Sequence, residues 1–587
     1  MAVSISTIAP VAHLPLILGM LRKLQVASII DGLLPPHPEN VISCGRGVEA
    51  LLLAILDGQH ALYKVGQRLK ERGMLPLLQP ALTAASLNDY RLGQILDALF
   101  YANLNRIFSA LALKALEVYA IPTPWIHHDT TTIALYGAYE PGEEAAQERK
   151  GPVPPRPAYG HSKDGREDLK QVLLSLGVSG DGGLPLRIGV KDGNTSDSTE
   201  APLAIEECLE LGLEGVIGIV ADSKAYSRRT LGLCLERQVG LVTLVPRTCG
   251  IRQELEAWGR QQASLPLLLE KPGRSQREAP RRWRGQSVLR RVEVEDSHGQ
   301  VALEEVRFLV AHSSQLAQRE AKSLAKAQEK EAGGVAEHIK KVEARSFACL
   351  ADAEAAILEY AGSGTGRRGR KPQVWRYHEV GYQVEAFSQL KKRSRRGRPC
   401  RDEKPEEETR YRLRVNAKVM ECGKEENGWT VLATTVSTEQ CADIQVMEAY
   451  LEQGATVEPG FRWIKNPAAI TPVWLEKPER IGALAMLTVV GLLVYTLLQR
   501  QVRLYLKSCG QLMPGNKRPT AMPTGSVILS LFAQVMMVQL QVDNTLGLQV
   551  YGLQQHHLMV CDALEIDRSW YELPTANQNP RDIIIPP

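Results

Sequence analysis

Three acidic residues stand where a chain places carboxylates for chemistry rather than for solubility. Asp129 lies inside the apolar, β-branched run WIHHDTTTIALY (125–136). A carboxylate in the middle of a strand needs a partner, because burying it alone is expensive. Asp222 closes the apolar run of GVIGIVADSKAYS (215–227), and the carboxyl end of a buried strand is where α/β sheets place their ligands. Glu458 lies in MEAYLEQGATVEPGFRWIKNP (447–467). Brought together, three such acids make a hard, oxygen-rich site suited to Mg²⁺ or Mn²⁺. Two ions about 3.5–4 Å apart would activate a water or hydroxyl and stabilise the leaving oxygen of an in-line displacement. Taken singly, each acid is weak evidence, since an Asp closing a strand is more often a turn former or helix cap, and spacing alone does not join them.

The elements that must carry these acids follow from periodicity. Residues 1–120 read as helical: Leu51, Leu52, Leu53, Ile55 and Leu56 form one apolar patch, and Leu96, Leu99, Leu104, Ile107, Leu111 and Leu113 recur at helical spacing. This is a small helical domain, either DNA-binding or a dimerisation scaffold. After Pro122-Thr123-Pro124 the pattern turns to short strands at 125–136, 173–178, 185–190, 215–221 and 240–245. Asp181-Gly182-Gly183 signals a hairpin turn between two of them, and 199–211 reads as a helix. Hairpins followed by strand–helix–strand predict a mixed α/β sheet. From 251 to 430 the chain carries charged helical stretches (315–332 and 334–360), the basic loops GSGTGRRGRKP (362–372) and KKRSRRGRPC (391–400), and an amphipathic strand (410–420). A strand at 429–434 and helices at 440–456 and 479–506 follow, with a mixed helical segment and a flexible tail beyond 510.

Composition narrows the class. A length of 587 residues calls for several domains, and 44% hydrophobic residues is too many for a disordered chain. Lys+Arg 70 against Asp+Glu 66 is near balance, so the charge that matters is local. The ten cysteines form no CxxC pair and read as reduced thiols, and the histidines show no zinc-ligand spacing with them. The first twenty residues lack a basic region and a small-residue cleavage site, so no signal peptide is read. IGALAMLTVVGLLVYTLL (481–498), flanked by Arg480 and Arg500, is long enough to span a membrane and is read instead as a buried core helix.

Several segments, in order, resemble bacterial insertion-sequence transposases of the DDE class, in the subgroup with a long insertion before the Glu. WIHHDTTTIALYG (125–137) resembles the first-Asp strand, and YGHSKDGREDLKQV (159–172) the segment after it. GDGGLPLRIGVKDGNTSD (180–197) resembles the following hairpin and turn, and VADSKAYS (220–227) the second-Asp strand. GWTVLATT, YLEQGATVEPGFRWIKNP and RIGALAMLTVVGLLVY resemble the Glu region and its following helix. The resemblance runs from about 120 to 530 and implies that Asp129, Asp222 and Glu458 are catalytic and bind the metal. Lys465 takes the place of the family's Lys, seven positions after the Glu. The family's Arg and Tyr fall on Gly454 and Leu451, with Gln453 and Tyr450 each one place away. Pro459-Gly460 places Glu458 at a helix end rather than in a helix middle.

Basic residues supply the DNA contacts of this reading. Lys163, Arg166 and Lys170 follow the first acidic strand and either meet phosphates or form a solvated charged hairpin. Arg462 between Glu458 and Lys465 has the geometry to hold a phosphate in a fork. Arg368 with Arg370 and Arg396 with Arg398 flank glycines, the Arg-Gly-Arg core of minor-groove hooks. Such runs also bind phosphate without sequence preference, or serve as solvated linkers. Trp283, in RRWRG (281–285), is either a stacking platform for a flipped base or an ordinary packed tryptophan.

The resemblance implies an α/β fold: an RNase H-like mixed sheet core interrupted by an α+β insertion domain, with an N-terminal helical domain. The expected division is 1–120, a helical DNA-binding domain; 121–250, the first part of the core; 251–430, the insertion; 431–508, the second part of the core; 509–587, a helical region and tail. The implied function is cut-and-paste DNA transposition: Mg²⁺- or Mn²⁺-dependent cleavage of terminal inverted repeats, then strand transfer into target DNA. The implied state is a homodimer or larger assembly on double-stranded DNA in the bacterial cytoplasm, with no membrane. The alternatives are an RNase H-like nuclease without strand transfer and an inactive, transposase-derived DNA-binding protein.

Overall fold

The computed structural model describes residues 3–59, 61–139, 152–273, 279–361, 375–391, 406–420, 427–466, 475–542, 545–568 and 571. Strand β1 (Val3–Ala9) precedes helices α1 (Leu14–Lys23), α2 (Val26–Leu33), α3 (Cys44–Leu56), α4 (Leu62–Glu71), α5 (Leu75–Leu78), α6 (Asp89–Tyr101) and α7 (Leu104–Tyr119). Then come β2 (Trp125–Leu135), β3 (Lys170–Ser179), β4 (Pro185–Asp192), α8 (Asp197–Leu209), β5 (Gly218–Ala221), α9 (Arg228–Glu236), β6 (Gly240–Leu244) and α10 (Gly250–Gln261). Next are β7 (Leu267–Lys271), β8 (Arg281–Glu295), β9 (Val301–Ser313), α11 (Ser314–Glu343), β10 (Ser346–Phe347), α12 (Leu350–Ala361), β11 (His378–Leu390), β12 (Glu407–Val419) and β13 (Trp429–Thr434). The last described elements are α13 (Asp443–Thr456), α14 (Glu458–Ile464), α15 (Pro478–Cys509), α16 (Gly525–Leu531), β14 (Met536–Val542), β15 (Thr545–Tyr551) and α17 (Gln555–Leu564).

Contacts divide the chain into two units: Met1–Arg252 with Ser287–Leu309 and Leu432–Pro587, and Gln253–Gln286 with Val310–Val431. The first unit is built on a large mixed sheet in which β4, β3, β2, β5, β6, β13, β9 and β8 follow one another. β2, β3 and β4 form an antiparallel meander, with Asp129 opposite Leu176 and Leu176 opposite Ile188. β5 joins β2 in parallel, β6 joins β5 in parallel, and β13 joins β6 antiparallel. The turn at Asp181-Gly182-Gly183 closes the β3–β4 hairpin, with φ of +81° at Gly182 and +66° at Gly183, angles that glycine reaches at no steric cost.

One apolar core fills this unit. It joins α1, α3, α6 and α7 to α15 and to the Val172, Leu174, Leu176 and Val178 face of β3. β3 is buried on its other face as well, which explains its nearly unbroken apolar run. α15 is long and apolar enough to cross a membrane, yet 94% of its most apolar window is buried within the protein. A helix apolar on every side belongs in such a position.

The second unit has its own small core of Val342, Phe347, Ala353, Ala356, Leu413 and Val415. Here β11 and β12 pair antiparallel over thirteen residues each, with α11 and α12 packed on them. The charged stretch expected to break near Gly333 is one helix, Ser314–Glu343. Two glycines cost a helix about 1 kcal/mol each, too little to interrupt thirty residues. Val3–Ala9, expected to be helical, is a strand paired with Met536–Val542, and β14 pairs in turn with β15. Its VSISTIA run alternates with period two, and its partner lies too far along the chain for local pattern to reveal.

Candidate active site

Strand register brings the first two acids together. His128 of β2 is the parallel partner of Ala221 of β5. Asp129 and Asp222 are the next residues on these neighbouring strands, which run about 4.8 Å apart. Asp222 caps the short turn Ser223–Ala225, its Oδ1 accepting the Lys224 N–H at 2.9 Å. The Thr243 hydroxyl donates to the Asp222 carbonyl at 2.6 Å and fixes the strand end. Asp129 Oδ1 accepts the Thr130 N–H at 2.7 Å. Burial pushes the Asp129 carboxyl up to about 6; Lys163 and the Thr130 N–H oppose that rise, and Asp222 and Asp197 add to it. Burial raises Asp222 too, with the Lys224 N–H and Lys163 opposing and Asp197 adding.

Asp197 is the acid that sequence reasoning passed over. It is the first residue of α8, and its Oδ1 accepts the Thr130 hydroxyl at 2.6 Å. The available signal was GNTSD, a Ser cap followed by an Asp, which the family resemblance includes but does not single out. The position of α8 is set from beneath. Arg187 of β4, 3% exposed, pairs with Glu200 at 2.8 Å and with Glu207, both on α8, and also donates to Ser175. Ser175 in turn meets the ring of His128 at 3.0 Å, and burial lowers that imidazole to about 3. The turn into α8 passes so close to β3 that a side-chain carbon at Gly193 would collide with the Gln171 carbonyl oxygen.

Lys163 reaches into the acids. Its Nζ lies 3.3 Å from Asp197 and 3.9 Å from Asp129, and donates to the Thr130 carbonyl at 2.8 Å and hydroxyl at 2.5 Å. The neighbouring Asp164 pairs with Lys465 at 2.6 Å. This contact brings the end of α14 to the same loop. α13 packs on β2, β5 and β6: Gln453 donates to the His128 carbonyl at 3.2 Å, and burial and the Asp222 charge raise the Tyr450 hydroxyl.

Glu458 is placed differently from the two aspartates. It opens α14 with Pro459 behind it, a position where proline's missing N–H is harmless. It is exposed to solvent, while the charges acting on Asp129 include Lys163, Asp222 and Asp197, and those acting on Asp222 include Asp197, Lys163 and Lys224. Arg462 is likewise exposed.

The remaining candidates scatter. Arg166 forms a forked pair with Asp168 at 2.8 Å on the surface. Lys170 is tied to the carbonyls of Ala138 and Tyr139, the latter at 2.9 Å, so it braces the end of β2. Trp283 is only 8% exposed, within β8 and opposite Leu269 of β7. Arg368, Arg370, Arg396 and Arg398 lie outside the described residues.

Asp129, Asp222 and Asp197 offer hard carboxylate oxygens, the donor type of Mg²⁺ and Mn²⁺, and a divalent cation would relieve their mutual repulsion. Among the described residues, no three His, Cys, Asp or Glu side chains are arranged to hold a metal ion as they stand.

Residues 6–113 match the family profile described as DUF4277, a domain of unknown function. No curated protein matches the chain. Among solved structures, the chain is similar at 11% identity and a TM-score of 0.24 to a chain of the cryo-EM structure of a piggyBac transposase synaptic complex with hairpin DNA. That likeness covers 49% of this chain and 60% of the other, less than two thirds of the length of the protein it matches.

Proposed function

We propose that this chain is a DDE-type DNA transposase of the bacterial insertion-sequence kind, with an RNase H-like core. The observation that carries the reading is the placement of Asp129 on β2 and of Asp222 just past the end of its parallel neighbour β5, within a sheet ordered β4-β3-β2-β5-β6. An antiparallel meander followed by two parallel strands is the arrangement expected of that core. In this reading Asp129 and Asp222 hold Mg²⁺ or Mn²⁺, two ions in all. Bound there, such ions would supply activation of a water or 3′-hydroxyl and stabilisation of the leaving oxygen. Glu458, exposed at the start of α14, would be the third acid of the set.

The protein's other contribution is positioning and charge. Arg462 on α14, Lys465 just past its end, and Lys163 and Arg166 on the loop before β3 would supply cations for the phosphates of the element ends. Arg368, Arg370, Arg396 and Arg398 add contacts to the duplex backbone. The working form is a homodimer or larger assembly in the bacterial cytoplasm, on terminal inverted repeats and target DNA. A second reading, an inactive DNA-binding descendant, draws on the solvent-exposed position of Glu458.

Short inverted repeats, if found on either side of the reading frame, would be the substrate for the test. Mn²⁺-dependent cleavage at the repeat ends, lost in Asp222→Ala and Asp129→Ala, is expected. Precut ends should then join to target DNA; products that are nicked but never joined make the protein a nuclease. Binding without cleavage in any divalent metal overturns the enzymatic assignment.

A further inference from the structure

Lys163 sits where a cation would be expected, and its surroundings show how it gets there. Its ammonium has the Thr130 carbonyl at 2.8 Å, the Thr130 hydroxyl at 2.5 Å, Asp197 at 3.3 Å and Asp129 at 3.9 Å. These are oxygens only, the shell a hard cation takes. The loop is folded to present it: the Lys163 N–H donates to the Thr132 hydroxyl at 3.2 Å, and the Ser162 hydroxyl accepts the Arg166 N–H at 3.1 Å. The Lys163 side chain is 29% exposed, so it has a route out to solvent. Its ammonium is the cation that bridges Asp129 and Asp197.

We propose that Lys163 is an internal counterion. It holds the cation position between Asp129 and Asp197 until a divalent ion displaces it, and Asp197 is a working member of the acid set that attracts that ion. The proposal rests on the metal-dependent reading above and adds two roles to it. Asp197 supplies negative potential beside the metal ligands. Lys163 guards the site, and once released it stands next to the Asp164–Lys465 pair, on the side of the site where α14 contributes its cations. Displacement is an exchange of one positively charged group for another, with no bond made or broken.

The test is Mn²⁺ binding to the full-length protein without DNA, followed by the loss of the free-ion EPR signal. Lys163→Met keeps the length of the side chain and removes its charge. It should bind Mn²⁺ roughly tenfold more tightly than wild type, the scale expected for deleting a partly screened unit charge about 4 Å away. Lys163→Arg keeps the charge and should bind near the wild-type level. Adding Asp197→Asn to Lys163→Met should weaken binding several-fold. Melting curves in EDTA check that each variant is folded, and Mn²⁺ should raise the melting temperature of Lys163→Met more than that of wild type.

Wild-type or weaker Mn²⁺ affinity in Lys163→Met overturns the counterion role. An unchanged affinity on adding Asp197→Asn overturns the role of Asp197. If Lys163→Met binds no Mn²⁺ that Asp222→Asn removes, the metal site itself is refuted, which separates failure of the underlying reading from failure of this one.

Discussion

Replacing Asp129 with asparagine should make the metal-free protein more stable. The carboxyl is pushed from 3.8 up to about 6, mainly by burial. A carboxyl whose folded pKa is raised holds its proton in the native state where the unfolded chain has lost it. Stability is therefore fully present below the unfolded value and falls as pH rises through the window from 3.8 to about 6. A shift of about 2 units corresponds to about 3 kcal/mol at most. The side chain is 29% exposed, and solvent screening reduces that to about 1–2 kcal/mol. Asparagine keeps an oxygen to accept the Thr130 N–H and carries no charge to bury. For a cooperative unit of several hundred residues, the gain amounts to a rise in melting temperature of about 1–3 °C. The assay is thermal unfolding of both proteins in EDTA at pH 8 and again near pH 4.5, where the advantage of the variant should shrink. Added Mg²⁺ should reverse the order, because wild type gains from binding and the variant does not. Equal melting temperatures at pH 8, or a gap that ignores pH, would show that burial does not oppose ionisation of Asp129.

Other substitutions separate the scaffold from the site. Arg187→Met leaves Glu200 buried without its cation and should cost about 3–5 kcal/mol by urea denaturation; a loss below about 1 kcal/mol contradicts a buried anchor under α8. Gly193→Ala forces a methyl against the Gln171 carbonyl and should cost about 1–3 kcal/mol, with the Asp197–Thr130 contact weakened; an unchanged melting curve refutes the close approach. Trp283→Ala should cost about 3–5 kcal/mol while leaving DNA affinity intact well below the melting temperature. A selective loss of DNA binding, with stability unchanged, would mean that the ring faces nucleic acid after all.

Much of the architecture was legible along the chain because it is written in short-range periodicity. The β-branched run around Asp129, the two glycines after Asp181 and the unbroken apolar stretch from Ile481 to Leu498 each dictate a strand, a hairpin and a buried helix through local sterics and burial. The family resemblance joined Asp129 to Asp222, and the register of β2 on β5 gives that pairing a physical basis. What local pattern could not supply was long-range partnership. Val3–Ala9 became a strand only because Met536–Val542 offers it backbone partners. Asp197 joined the acids because Arg187 fixes α8 against the sheet, and Lys163 could be placed among them only once Thr130 was known to face it. Of the two readings the arginine-flanked setting of Trp283 left open, its burial in β8 favours the packed one. Burial and charge pairing are sums over neighbours brought from distant parts of the chain, so the elements were fixed by composition and spacing, and their meeting at one site was decided by the tertiary structure alone.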